Sequence, residues 1–241
     1  MRAEARHQLK EDRFSKATLE VAGQTVDWTV AHKSKIITAA IVVAVLAAAV
    51  FGGWYYLNGQ DEKASADLSK AVRAIEAPVR PADQPAQPDV LSYTSTKERA
   101  TEAHKLFQAV VDKYPHTHNA DVARYFLGLT ASDMGDYASA QKDLNEVASY
   151  HNAELASLAK LALASVYRQQ GQNKQAIDIY KALADKPTTM VSKPAAQLQL
   201  AEALMADKQP LEAKGVYERV QKENPATPAA QIAGQALQNL K

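Results

Sequence analysis

The sequence predicts an all-α protein in which a single N-terminal transmembrane helix is followed by an α-solenoid of repeated helical pairs and a C-terminal capping helix. Three observations support this fold class. An uncharged stretch covers residues 36–57, alanines recur every 36 or 37 residues from Ala103 onward, and Thr227-Pro228 begins a last apolar segment. The period is that of stacked helical pairs, since each pair needs its neighbours to bury its apolar face.

The stretch from Ile36 to Leu57 is long enough to cross a membrane. As a helix rising about 1.5 Å per residue it extends roughly 33 Å, and the hydrocarbon layer is about 30 Å thick. Trp54, Tyr55 and Tyr56 stand at its far end, where aromatic rings favour the lipid headgroup level. The sequence therefore predicts one membrane span over 36–57.

Basic residues set the predicted orientation. Seven basic and five acidic residues precede the span, whereas Asp61, Glu62 and Lys63 are the first charged residues after it. The positive-inside rule therefore makes residues 1–35 a cytoplasmic tail and sends the rest across the membrane. This tail is expected to be a flexible segment or a docking segment with Phe14 and Trp28 as anchors. A cleaved signal sequence is the competing interpretation, but its apolar core is about 7–15 residues long behind a short basic head.

A period of 36 to 37 residues organises the exported part. Four alanines mark it: Ala103, Ala140, Ala176 and Ala213. Four positions after each alanine stands a large apolar residue: Phe107, Leu144, Tyr180 and Tyr217. Twelve positions before each of the last three alanines, a leucine precedes a small residue: Leu127-Gly128, Leu163-Ala164 and Leu200-Ala201. The spacing predicts two antiparallel helices whose small residues face each other at a close approach.

Glycine and proline mark the ends of these predicted helices. Gly135 and Gly171 fall at the turns between paired helices, where a backbone conformation that other residues resist is needed. Pro115 and Pro225 close a repeat because proline does not continue a helix. The whole pattern resembles the tetratricopeptide repeat, a helix–turn–helix unit of about 34 residues. Residues 96–241 are therefore predicted to be a tetratricopeptide-repeat domain.

Residues 58–95 are predicted to form a membrane-proximal helix and a proline-rich loop. The helix is expected from about Asp61 to Glu76, in continuation of the membrane helix. Four prolines follow within eleven residues and exclude a helix there: Pro78, Pro81, Pro85 and Pro88. We expect an exposed loop inside the first helical pair. At the other end, Thr227 as N-cap and Pro228 in the first turn start a last helix that runs to about Leu240 and closes the solenoid.

An N-terminal anchor that ends in Gly52-Gly53-Trp54-Tyr55-Tyr56 and is followed by a helix, a loop and repeats resembles the YfgM-like family, the ancillary subunit of the bacterial Sec translocon. The resemblance implies a single-pass protein of the bacterial inner membrane with a periplasmic repeat domain beside the translocon. It implies two kinds of partner, Sec translocon subunits and a membrane-anchored periplasmic chaperone. The longer cytoplasmic tail of this chain leaves room for an additional cytoplasmic role.

No motif in the sequence predicts catalysis or a cofactor. Nucleophile elbows, phosphate-binding glycine loops, zinc-protease helices and cysteines are all missing. His116, His118 and Asp121 form the only ligand-like cluster, but they lie in a connection where polar residues are ordinary, so no metal site is expected. The part beyond the span has 21 basic and 22 acidic residues. This balance argues against nucleic acid, which requires a concentrated basic surface.

The predicted binding surface is the concave face formed by the first helix of each repeat. We call its ten members the groove residues: Tyr125, Leu129, Asp133, Leu161, Ser165, Arg168, Gln169, Leu198, Glu202 and Met205. Their mixture of apolar and scattered charged side chains suits a peptide or a partner helix. The competing interpretations are that the C-terminal helix fills this groove or that its apolar members are simply buried.

The sequence thus favours a non-enzymatic membrane scaffold whose repeats gather a chaperone or nascent exported chains near the translocon. Three alternatives remain. One is a cell-envelope adaptor for division or outer-membrane assembly, another is a factor that holds apoproteins in cytochrome maturation, and the third is an enzyme. Repeat scaffolds serve many pathways, and specificity depends on the side chains of the groove.

Overall fold

The computed structural model describes residues 33–240, apart from residues 86 and 89. Most of the predicted cytoplasmic tail lies outside these described residues. Within them the chain forms nine α-helices: α1 (Lys33–Glu76), α2 (Thr96–Lys113), α3 (His118–Met134), α4 (Tyr137–Ala148), α5 (Ala153–Gln169), α6 (Asn173–Asp185), α7 (Lys193–Ala206), α8 (Pro210–Glu223) and α9 (Pro228–Asn239). The chain divides into two compact units with a boundary between Tyr56 and Leu57.

The described part of the first unit is the beginning of α1. Its apolar window has a mean hydropathy of 2.6, and none of it is buried. Val50 and Phe51, for example, expose 73% and 68% of their surface. By length and composition this is the one helix in residues 33–240 that suits a membrane anchor or a signal sequence.

In the second unit, the end of α1 is the first helix of the repeat array. Ala64, Ala71 and Ala74 are buried because they pack in one cluster with Phe107 of α2 and Leu127 of α3. Polar contacts reinforce this packing. The Asp67 carboxylate accepts hydrogen bonds from the Tyr114 hydroxyl at 3.0 Å and from Lys113 at 3.2 Å, and the Asp61 carboxylate accepts one from the Asn119 side chain at 2.8 Å. The predicted membrane-proximal helix is therefore part of the folded domain.

The periodic residues form the core of the successive helical pairs, as the spacing predicts. The four alanines of the repeat are fully buried, and so are Phe107, Leu144 and Tyr180, while Tyr217 is 6% exposed. The closest approach is at Gly128, where an added Cβ would lie 2.5 Å from Cγ of Leu144. A glycine is therefore needed at this position by packing, since its backbone conformation is ordinary.

The turns inside the helical pairs follow the predicted glycines in two cases out of three. Gly135 and Gly171 adopt φ angles of 84° and 73°, and Asp136 then caps α4 by accepting a hydrogen bond from the Ser139 amide. The third turn, between α7 and α8, instead places Lys208 at φ 59°. Lysine resists this left-handed conformation, so the glycine signal of the other two turns is missing at the third turn.

The proline-rich segment between α1 and α2 is exposed along most of its length, but its ends are held together. The Arg80 amide donates to the Tyr93 carbonyl at 2.8 Å, and the Tyr93 amide donates to the Pro78 carbonyl at 3.1 Å. Arg99 of α2 also donates to the Ala77 carbonyl. The segment is therefore a loop closed at its base within the first helical pair.

The last helix begins where the sequence predicts it. Thr227 accepts a hydrogen bond from the Ala230 amide, and Pro228 occupies the first turn of α9. Ala233 is buried in the core formed by α6, α7 and α8, and Leu237 packs on that core. This helix therefore covers apolar surface at the end of the array, as a capping helix does.

Candidate protein-binding groove

The groove residues occupy equivalent positions in α3, α5 and α7. Tyr125, Leu161 and Leu198 each lie three residues before the small residue of their helix, and Leu129, Ser165 and Glu202 each lie one residue after it. Since these helices share one packing phase, equivalent positions point in equivalent directions from each helical pair. These residues therefore share one face of each first helix, and the binding role of that face stays a prediction.

The apolar groove residues are only partly covered. Tyr125, Leu161 and Leu198 are half-buried and pack on the edges of the cores beneath them. Met205 remains 37% exposed. Tyr125 also meets Phe126 edge to face, with ring centroids 5.4 Å apart. These side chains offer apolar area to a partner while they anchor themselves in the domain.

The central polar feature joins two groove helices. The Arg168 guanidinium of α5 donates to the Glu202 carboxylate of α7 at 3.1 Å and to the Gln199 side-chain oxygen at 3.0 Å. As a groove residue, Arg168 would offer its N–H donors to a partner. In the structure part of this capacity is used within the chain, but the guanidinium has five N–H donors, and both contacts use the same nitrogen.

Two tyrosines from the second helices of the repeats reach the same region. Burial raises the pKa of Tyr180, and the nearby Arg168 guanidinium works against this rise. Burial also raises the pKa of Tyr217, which lies close to Glu202 and Arg168. The Tyr180 hydroxyl is buried without a hydrogen-bond partner in the part of the chain that the structure describes. Apolar spacing alone identified both residues as core, so sequence reasoning missed their polar ends.

The remaining polar groove residues lie at the ends of their helices. Asp133 near the end of α3 is exposed, although desolvation by its surroundings raises the pKa of its carboxyl group and Arg99 opposes that effect. Ser165 and Gln169 of α5 are also exposed. These exposed side chains leave the polar positions of the predicted groove open to solvent.

The His116–Asp121 connection has a structural role. Thr117 caps α3 by accepting a hydrogen bond from the Ala120 amide at 3.1 Å. Burial raises the pKa of Asp121, and His118 works against this rise. Among the described residues, no group of three or more histidines and acidic residues is placed to hold a metal ion.

Comparison with known proteins gives a family and a fold. The model of the tetratricopeptide repeat-like domain matches residues 27–187, and the model of the single tetratricopeptide repeat matches residues 195–227. No curated protein matches the chain.

Two crystal structures of nearly identical TPR-like repeats, from a Podospora anserina chain assigned as a kinesin light chain, are similar in fold. One is 17% identical with a TM-score of 0.55 and covers 75% of this chain and 86% of its own. The other, a point variant of those repeats, is 19% identical with a TM-score of 0.54 and covers 75% and 85%. At these identities the likeness concerns the fold alone.

Proposed function

We propose that this chain, which belongs to the tetratricopeptide repeat-like domain family, is a non-enzymatic scaffold anchored in the bacterial inner membrane by residues 36–57. Repeats of this family are protein-interaction modules, and this coarse function follows from the fold. The finer proposal is that the groove residues hold partner proteins. Its partners would be Sec translocon subunits, a membrane-anchored periplasmic chaperone and nascent exported chains.

The observation that carries the groove proposal is the repetition of partly exposed apolar side chains on three successive first helices. Tyr125, Leu161 and Leu198 occupy the same repeat position, and Arg168 links two of these helices through Glu202. A row of apolar contacts beside a directional charged pair suits an amphipathic helix or an extended peptide. All three apolar side chains stay half-buried, so each keeps surface that a partner can cover.

Exposed groove residues allow a test that leaves the core intact. Ser165 and Met205 are both exposed, so the double variant Ser165→Arg/Met205→Arg adds bulk and charge to the groove without removing core packing. The control is Gln175→Arg in α6, which is also exposed. The full-length chain and both variants would be purified in mild detergent, and the recovered proteins identified by mass spectrometry.

The proposal expects Sec subunits and a membrane-anchored chaperone with the wild type and with the control, and at least tenfold less of both with the double variant. Equal recovery with a folded double variant would remove the groove as the binding surface. Recovery of division proteins or haem-lyase components in place of Sec subunits would support the alternative envelope roles. A folded state is checked by an unchanged helical circular dichroism signal.

The proposed topology has a separate test. The seven basic residues before the span support an N-terminus in the cytoplasm and residues 58–241 in the periplasm. A reporter that is active only in the periplasm, fused after Lys241, should be active, and the mature chain should keep Met1. Activity of a cytoplasmic reporter at this position would reverse the topology, and a mature N-terminus near Asp67 would indicate a cleaved signal.

A further inference from the structure

A cleft of about 780 Å³ lies among α6, α7 and α8, away from the groove residues. Leu200, Leu204 and Val216 give it apolar surface, and three basic and three acidic side chains also line it. Its volume is in the range of roughly 300–1,000 Å³ that is typical of ligand sites. A partner would therefore meet an apolar surface with no net charge around it.

The cleft contains a buried hydrogen-bond acceptor without a donor. Gln197 lines the cleft and is 3% exposed, and its side-chain oxygen has no hydrogen-bond partner in the described part of the chain. The neighbouring Glu223 carboxylate accepts a hydrogen bond from Lys193 at 2.8 Å, which lowers the pKa of Glu223. The Gln197 oxygen itself accepts no hydrogen bond from any described group. Buried carbonyl oxygens are nearly always hydrogen-bonded, so this one is suited to a donor that enters the cleft and displaces the side chains covering the oxygen.

A glycine borders open space in the cleft. Gly215 lies inside α8 and lines the cleft, yet an added Cβ would meet no heavy atom of the described chain within 4 Å. Glycine is among the least favourable residues in a helix interior, and neither backbone conformation nor packing requires it here. The equivalent positions of the other second helices carry Lys105, Lys142 and Asp178. What glycine provides at this position is open space.

The equivalent positions of an earlier repeat carry a polar cluster whose side chains are hydrogen-bonded to one another. Arg124, Glu146 and Tyr150 each lie 73 residues before Gln197, Arg219 and Glu223. In the earlier repeat the Arg124 guanidinium donates to the Glu146 carboxylate and to the Tyr150 hydroxyl at 3.1 Å. The cluster there satisfies its own hydrogen bonds. The unpaired oxygen of Gln197 is therefore particular to the α7/α8 pair and not a property of the repeat.

We propose that this cleft is a second peptide-binding site, which takes an uncharged apolar segment of a partner protein whose N–H group donates a hydrogen bond to the side-chain oxygen of Gln197. The apolar surface of the cleft accepts apolar side chains. The balance of three basic and three acidic side chains disfavours phosphates and other strongly charged ligands, because either sign would leave like charges uncompensated. Gly215 leaves room for the peptide backbone beside α8.

The test uses the full-length chain in detergent and a phage-displayed library of random 12-residue peptides. Peptides that bind the wild type are synthesised with a fluorophore, and their affinities are measured by fluorescence anisotropy. Gly215→Leu narrows the cleft, and Gln197→Leu removes the acceptor. Asp178→Leu is the matched control, since Asp178 has the equivalent position in α6 but does not line the cleft.

The expected result is a set of mainly uncharged, apolar peptides whose affinity falls at least tenfold with Gly215→Leu and at least fivefold with Gln197→Leu. Asp178→Leu and the groove variant Ser165→Arg/Met205→Arg should leave these affinities unchanged. The proposal is overturned if no peptide is enriched, if the enriched peptides are mainly charged, or if a folded Gly215→Leu or Gln197→Leu variant binds as the wild type does. Loss of peptide binding in the groove variant would assign the peptides to the groove and would also overturn it.

Discussion

The helical pairs α3/α4 and α7/α8 have the same core but different polar surroundings. Ala140 and Ala213 are both fully buried and lie at the same repeat position. Around these cores, Arg124 of the first pair closes a hydrogen-bonded cluster, whereas Gln197 of the second leaves an unpaired oxygen in an open cleft. The residues that recur at the repeat period therefore form the core, whereas the residues between them differ from pair to pair and give each pair its own polar surface.

The glycines of the two pairs differ in the same way. Gly128 is required by packing because Leu144 approaches it closely, whereas Gly215 faces open space. Gly128 allows close packing in the core of α3/α4, whereas Gly215 leaves open space at the surface of α7/α8. The following four experiments test this difference, beginning with the largest expected effect.

Enlarging the shared core should affect both pairs alike. Ala140→Leu and Ala213→Leu each place a long side chain where two helices meet, so each should lower the free energy of unfolding by about 1–3 kcal/mol. Denaturant melts of the full-length chain measure this change. Ala138→Leu is the control, since Ala138 is exposed and should change stability by less than about 0.5 kcal/mol. Equal small effects at all three positions would mean that the two pairs do not share this core.

Alanine in place of each glycine should change stability with opposite sign. Gly128→Ala forces Leu144 to move, since the new Cβ would lie 2.5 Å from its Cγ, and should destabilise the protein by about 1 kcal/mol. Gly215→Ala gains helix propensity without a clash and should stabilise it by up to about 1 kcal/mol. Thermal melts of both variants measure these changes. Melting temperatures that shift in the same direction would contradict the different roles assigned to the two glycines.

Removing the arginine should lower the stability of the protein more in the α3/α4 pair than in the α7/α8 pair. The Arg124 and Glu146 side chains are 26% and 44% exposed, so Arg124→Ala should cost no more than about 1 kcal/mol. Arg219 is exposed, and Arg219→Ala should cost less than about 0.5 kcal/mol. A double-mutant cycle of Arg124→Ala with Glu146→Gln gives the coupling in the first pair. A coupling energy of zero would show that its cluster is no more closed than that of α7/α8.

The smallest expected effects are opposite pH dependences of stability. Burial raises the pKa of Asp143 in α4, so ionisation of this group costs stability as pH rises through its folded pKa, above the ordinary value of about 3.9. The hydrogen bond from Lys193 lowers the pKa of Glu223 in α8, so its contribution is present above about pH 4.3 and is lost as pH falls through the folded pKa. Asp143→Asn should therefore raise the melting temperature at pH 7, and Glu223→Gln should lower it.

At pH 3 the same two variants should differ little from the wild type, because both carboxyl groups are largely protonated in the unfolded chain. Melting temperatures at pH 3, 5 and 7 check both expectations. A shift of the same sign in both variants at pH 7 would show that the two carboxyl groups lie in similar environments.

Sequence patterns predict the structural features that depend on residues close to one another in the chain. The turns at Gly135 and Gly171 and the cap at Thr227 are confirmed, because capping and glycine geometry depend on neighbouring residues. The turn at Lys208 lacks the glycine of the other two turns. The Lys208 amide donates to the Met205 carbonyl at 3.1 Å and the Gln209 amide donates to the Leu204 carbonyl at 2.9 Å. These hydrogen bonds at the end of α7 hold the lysine in a conformation that its residue type does not favour.

The candidate sites were predictable only in part for a related reason. The repeat period places the groove residues on one face of each first helix, but it does not say that Arg168 pairs with Glu202, 34 residues away. Long polar side chains reach several neighbours, and the spacing of the helices decides which contact forms. The cleft at Gln197 likewise gave no sequence signal, because Gln197 and Gly215 come together only when α7 and α8 pack.

The sequence by itself determined the uncharged stretch at 36–57, the number and phase of the helical pairs and the residues in their cores. These features depend on residue size and apolarity repeated at fixed spacing, which any helix of that sequence presents on the same face. Only the tertiary structure decided which polar groups are satisfied. The Tyr180 hydroxyl and the Gln197 oxygen are unpaired among the described residues because hydrogen bonds depend on distances and angles between separate helices, which small shifts in packing change.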